Sequence, residues 1–177
     1  RPQSLGLFYS LITQYCGFTK DSEEYKLMGL AAFGDKYAYD FSWLLSFSNG
    51  EYQLNIDYIE IPAPKAPSPH RDEMNYNQKF IEKMGQPKRI PNSSISQFYK
   101  DVAASAQFQL EKTVLHILDH YTQTTGISNV CLSGGVALNC LMNQKLMNAN
   151  GIDHLFIQPA STDAGISMGA AWLGSID

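Results

Sequence analysis

The sequence predicts an α/β fold, and three observations carry that prediction. From Ser94 onward, a long stretch of apolar residues at helical spacing gives way to short apolar runs that alternate with further helical patterns. The order in that half is helix, strand, helix, strand, helix, which implies parallel strands under covering helices. In the first half, Asn49-Gly50 stands between two strand-like runs and marks an antiparallel hairpin, because both turn positions want positive φ. Together these give a short mixed sheet with covering helices and one β-hairpin.

The elements follow in chain order. In "SLGLFYSLITQY" the apolar residues 5, 7, 8, 11, 12 and 15 fit a buried helix with Ser4 as its N-cap. "EEYKLMGLAAF", from Glu23, is a second helix, stopped by Gly34. Two strands flank Asn49-Gly50 between Leu44 and Ile61. "PAPKAPSPH", Pro62 to His70, is rich in proline and reads as an extended loop, with residues 62–72 as its span. "NYNQKFIEKMG" reads as a short helix ending at Gly85. Ser94 and Gln97 have capping-box spacing. Ala103, Ala106, Leu110, Val114, Ile117 and Tyr121 then recur along one long helix that ends near Gly126. Asn129 to Leu132 is a buried strand, Val136 to Asn148 a helix, and His154 to Gln158 a second strand. Asp163 to Leu173 is the last helix, capped by Ser161, Thr162 or Asp163. Gly165 and Gly169 predict close packing of that helix on a neighbour.

Composition narrows the function. With 177 residues, 44% of them hydrophobic, the chain suits one packed domain rather than disorder. Its net charge is −4 and no basic stripe appears, which counts against a nucleic-acid partner. No apolar run reaches the roughly 18 residues of a membrane span, and the start lacks a signal-peptide pattern. Cys16, Cys131 and Cys140 form no CxxC pair and read as buried free thiols of a cytoplasmic protein. GxSxG, HExxH and GxxxxGK[ST] are absent.

Ligands of open α/β sheets bind beyond the carboxyl ends of the strands. Two such ends are visible here. At the first, Gly134 and Gly135 allow a ligand to approach the backbone at a helix start, with Asn139 one turn further on. The same residues also fit a tight turn followed by an asparagine on a polar face. At the second, Asp163 fits an N-cap or a metal ligand facing the same cleft. Glu24 and Lys26, at the start of the second helix, fit a binding pair or plain surface charges. His116 and His120 have the i, i+4 spacing of helical metal ligands. A wheel of about 100° per residue turns them away from the apolar stripe, so they read as a solvated face.

Taken together, "EYKLMGLAAFG", "CLSGGVALNCLMNQKL" and "QPASTDAGISMGAAW" resemble, in order and across nearly the whole chain, the nodulation and antibiotic O-carbamoyltransferases. The resemblance implies that residues 1–177 form a single partial domain. It would be the C-terminal portion of an N-terminal actin/Hsp70-like (ribonuclease H-like) ATPase domain, related to the tRNA threonylcarbamoyltransferase. It implies ATP as cosubstrate, a carbamoyladenylate intermediate and transfer of the carbamoyl group to a hydroxyl of a small metabolite. Carbamoyl phosphate would be used by a C-terminal domain that this chain lacks. By the same resemblance Gly134, Gly135 and Asn139 match the adenosine side, Glu24 and Lys26 the ribose side, and Asp163 a ligand of Fe²⁺ or Mg²⁺. The chain departs from the family in having no HHxxHA-like histidine stretch and no first-half phosphate loop. It is therefore expected to hold one wall of an active site, to be inert alone, and to expose apolar surface through which it could form a homodimer. The competing functions are threonylcarbamoyl transfer to tRNA, a kinase of the same fold class, and a non-catalytic nucleotide-binding or scaffold module.

Overall fold

The computed structural model describes residues 3–61 and 74–176, so the proline-rich segment lies outside the described residues. Helix α1 (Leu5–Tyr15) starts where Ser4 accepts a hydrogen bond from the Leu7 N–H at 3.3 Å, as an N-cap serine should. It is buried almost all round, with Phe8, Leu11, Ile12 and Tyr15 inside the core. Helix α2 (Glu24–Ala31) follows. Gly34, just beyond it, approaches the next long helix so closely that a Cβ there would lie 2.0 Å from the Lys100 carbonyl oxygen.

The hairpin forms as its turn signal predicts. Strands β1 (Leu45–Ser48) and β2 (Glu51–Leu54) pair antiparallel with Ser48 opposite Glu51. Asn49 and Gly50 both take positive φ, 51° and 77°. A 3-10 turn and two short antiparallel strands, β3 (Ile59–Glu60) and β4 (Asn75–Tyr76), come next. Helix α3 (Gln78–Met84) is capped by Asn77 at one end and by Gly85 in the left-handed region at the other.

Helix α4 (Gln97–Thr125) runs for 29 residues and packs against α1, α2 and the hairpin. Its start differs from the sequence expectation. Ser96 holds the N-cap position with no side-chain bond, and Gln97 donates instead to the Phe33 carbonyl and the Asp101 carboxylate, so the Ser94–Gln97 box does not form. Its histidines differ too. His116 accepts the Gly50 N–H at 3.1 Å on Nε2 and lies 4.7 Å from the Phe47 ring, while the His120 ring covers Gly50. The pair clasps the hairpin turn rather than facing water, because the hairpin folds onto the side of α4 that its apolar stripe leaves free.

Strands β5 (Asn129–Leu132) and β6 (His154–Ile157) pair in parallel, Asn129 opposite His154, as the alternating pattern requires. The segment between them is not one helix. A 3-10 turn over Gly135–Leu138 breaks at Asn139, whose backbone is extended, and α5 (Cys140–Met147) begins there. Helix α6 (Gly165–Leu173) ends the fold with Ala164, not Ser161, Thr162 or Asp163, at its N-cap. Gly165 closes against the Ala160 carbonyl of its own loop, and Gly169 has open space, so the glycine spacing does not mark helix packing among the described residues.

The chain is mixed α/β, but among the described residues its strands form three separate two-stranded sheets rather than one short mixed sheet. The physical reason is local: β1–β2 is an antiparallel ribbon packed on α4, β3–β4 a second ribbon beside the 3-10 turn, and β5–β6 a parallel pair with no third strand among the described residues. Only Cys16 is a buried thiol. Burial pushes it up to about 12, whereas Cys131 and Cys140 are exposed. The apolar runs around those two suggest burial, but β5 alternates exposed and half-buried residues, and Cys140 opens α5, which buries only Met142 and Leu146. No helix among the described residues is long and apolar enough to cross a membrane.

Candidate functional site

The carboxyl ends of β5 and β6 are tied to each other. Gly134 donates its N–H to the Ser161 carbonyl at 2.6 Å, which joins the loop after β5 to the loop after β6. Gly134 has φ 96° and ψ 166°, a conformation essentially reserved for glycine. Gly135 opens the 3-10 turn, and a Cβ built on it would meet nothing within 4 Å. Ser161 is 3% exposed, and its hydroxyl has no hydrogen-bond partner. An orphaned buried hydroxyl at a loop junction is a group that a ligand could satisfy.

Beside this junction lies a cleft of about 690 Å³. Gly135, Val136, Asn139 and Thr162, from the loops after β5 and β6, line it together with Ser10, Glu24 and Met28 from the first part of the chain. The volume falls in the ordinary range for small-molecule sites. Glu24 is the first residue of α2, where the helix dipole favours an acid. Its Oε1 accepts from the Ser10 hydroxyl and from the Asp21 N–H, both at 2.7 Å. Asp21 takes a positive φ of 64° in that turn.

The structure brings Gly135, Asn139 and Glu24 to one cleft, with Gly134 directly behind Gly135. It separates Lys26 from Glu24. The Lys26 ammonium pairs with the Glu23 carboxylate and lies 5.9 Å from the centre of the Tyr25 ring, and Lys26 does not line the cleft. That ammonium, with the Thr19 N–H, holds the Glu23 carboxyl down at about 2. The acid–lysine pair is thus Glu23–Lys26, and Glu24 is a separate cleft acid. Sequence spacing places Glu23 and Glu24 side by side and cannot tell which one the lysine takes.

Asp163 is exposed next to Thr162 and makes no side-chain hydrogen bond or ion pair among the described residues. No group of three His, Cys, Asp or Glu side chains comes together among the described residues. One hard carboxylate is a single ligand, so these residues do not by themselves fit Fe²⁺ or Mg²⁺. Asn139 is buried rather than on an open polar face. It caps α5 by accepting the Met142 N–H at 2.9 Å, and its amide pairs with that of Gln107 on α4. Tyr9, whose phenol burial pushes up and the neighbouring Asn139 amide pulls down, donates to Gln107 at 2.8 Å. Sequence reasoning missed Gln107, Tyr9 and Ser10. A polar residue within the apolar run of a long helix is the one signal that marks Gln107.

Comparison with known proteins points in one direction. Residues 1–172 match the family described as carbamoyltransferase N-terminus. Among curated proteins, an uncharacterized protein of Synechocystis sp. is 39% identical over 96% of this chain and 27% of its own length. Nodulation protein NolO of Bradyrhizobium diazoefficiens is 37% identical over 97% of this chain and 28% of its own length. Nodulation protein NolNO of Sinorhizobium fredii is 35% identical over 97% of this chain and 23% of its own length. The chain therefore spans about a quarter of the length of these relatives.

Proposed function

The chain belongs to the carbamoyltransferase N-terminal family, and on that premise we propose that its cleft is the nucleotide wall of an O-carbamoyltransferase. The observation that carries this reading is the placement of Gly135 and Glu24 in the lining of one cleft beside the ends of two parallel strands. When bound, ATP supplies an adenylate leaving group for a carbamoyl carbon that a small-molecule hydroxyl then attacks. The residues here bind and orient. The bare backbone at Gly134 and Gly135 admits a flat base or a sugar at contact distance. Glu24, held by Ser10 and the Asp21 N–H, keeps acceptor capacity for ribose hydroxyls. Asp163 would give one ligand to a metal whose other ligands lie elsewhere.

The nucleotide wall belongs to an actin-like domain of a cytoplasmic enzyme, carbamoyl phosphate is handled by another domain, and the wall alone turns over no substrate. The exposed apolar faces of β5, β6 and α6 would then meet further chain or a second copy.

Titration calorimetry of the full-length protein with AMP tests the central claim. One saturable site is expected, weakened about tenfold in Glu24→Ala by the loss of a charged acceptor. The absence of heat at millimolar AMP, or a Glu24→Ala protein that binds as the wild type does, overturns it.

A further inference from the structure

Asn139 ends a buried series of hydrogen bonds that begins on the far side of the amide pair. Glu111, 8% exposed, accepts from Gln107 Nε2 at 2.8 Å. The amide of Gln107 thus turns its NH₂ group toward Glu111. The other end is fixed independently. The Met142 N–H only donates, so Asn139 must turn Oδ1 toward α5. Between those ends the two amides face each other, Gln107 Nε2 to Asn139 Oδ1 at 3.0 Å and Asn139 Nδ2 to Gln107 Oε1 at 2.9 Å. The Tyr9 hydroxyl donates to the same Gln107 Oε1.

Every hydrogen-bonding position of Gln107 is then used. Asn139 has Oδ1 engaged twice and one N–H engaged, which leaves a single N–H, and Asn139 lines the cleft. The two ends of a carboxamide are nearly the same size, so only its partners decide which end a ligand meets. We propose that Gln107, anchored by Glu111, is a positioning residue: with Oδ1 of Asn139 already held by the Met142 N–H, its bonds to the amide set the amide plane and so aim the remaining N–H donor at the cleft. This rests on the nucleotide reading of the cleft. It specifies the complementary ligand group as an acceptor, a ring nitrogen or a sugar oxygen of the adenosine part.

The test uses the full-length protein with Gln107→Leu, Asn139→Ser, their double variant and Glu111→Gln. Serine at 139 keeps a good helix cap without the amide. Gln107→Leu and Asn139→Ser are each expected to weaken AMP binding about tenfold. The double variant should bind no more weakly than Asn139→Ser, since Gln107 acts only through Asn139. Glu111→Gln, which keeps an acceptor oxygen but adds a donor, should lose part of the affinity that Gln107→Leu loses. Wild-type affinity in Gln107→Leu, or losses that add in the double variant, overturns the proposal even where the melting temperature falls. Hydrogen exchange of the Asn139 side-chain amide, followed by NMR in unliganded protein with labelled asparagine, is read in parallel. Protection present in the wild type and lost in Gln107→Leu supports the anchor, and equal exchange in both overturns it. A wild-type protein without AMP affinity would defeat the nucleotide reading, and the exchange rates would still decide on Gln107.

Discussion

Gly135→Val is expected to remove AMP binding, by about a hundredfold or more, while the protein melts close to the wild-type temperature. The two glycines of the loop do different work. Gly134 holds a backbone conformation that a side chain would strain by about 1–3 kcal/mol, so its replacement confounds folding with binding. Gly135 holds no such conformation, and the space its Cβ would enter is open for 4 Å. By analogy with helix propensity a valine there costs the fold nothing, since glycine is the poorer helix former by about a few tenths of a kcal/mol. It does fill the cleft at the point where a ligand would touch the main chain. Calorimetry and thermal melting on the same preparation separate the two effects. A valine protein that binds AMP normally would mean that the glycine pair only turns the chain.

Arg89→Met is expected to cost about 3 kcal/mol of stability. Arg89 is only 5% exposed. Its guanidinium donates to the Cys16 carbonyl at 2.6 Å and to the Ser93 carbonyl at 2.6 Å, and stacks 5.1 Å from the Phe18 ring. Cys16 is the C-cap of α1, so the cation sits at the negative end of that helix. Methionine fills similar volume but leaves the carbonyl of buried Cys16, and that of exposed Ser93, without this donor. Relief of the buried charge offsets part of this loss and not all of it, since a buried unpaired acceptor costs about 1–3 kcal/mol. Urea unfolding should show a lower midpoint at unchanged slope. Arg89→Lys should recover only a fraction, because an ammonium cannot span two carbonyls in a fork. A midpoint equal to the wild type would remove Arg89 from the set of structural anchors.

Much of the fold was legible because its signals are local. Ser4 caps α1, Asn49-Gly50 turns the hairpin, Gly85 and Gly126 end their helices in the left-handed region, and the alternation of patterns gave the parallel pair. What failed depends on long-range contacts. His116 and His120 looked solvated because a helical wheel cannot see a hairpin docking from residues 66 positions away. The break at Asn139 was invisible for the same reason, since the sequence through it is helix-like and the amide that stabilises the break comes from α4. Cys131 and Cys140 looked buried because apolar spacing reports which face is apolar, not whether anything covers it. At the candidate site the glycines and Asn139 were legible as a motif, and Glu24 was legible as an acid near a helix start. The split between Glu23 and Glu24 was not, because it turns on one side-chain ion pair.

The grip of His116 on the hairpin also governs chemical ageing. Asn-Gly is the dipeptide in which the following backbone nitrogen most readily attacks the asparagine side chain, expelling ammonia and leaving a succinimide. In this protein that nitrogen belongs to Gly50, and its N–H is committed to His116 Nε2 while the His120 ring closes over the glycine. The attacking nitrogen is thereby held in the turn geometry with its proton engaged. Once the hairpin lifts off α4, the restraint ends and the reaction proceeds as in a free peptide. Isoaspartate at position 49 would then act as a clock, accumulating in proportion to the time each molecule has spent with its hairpin undocked.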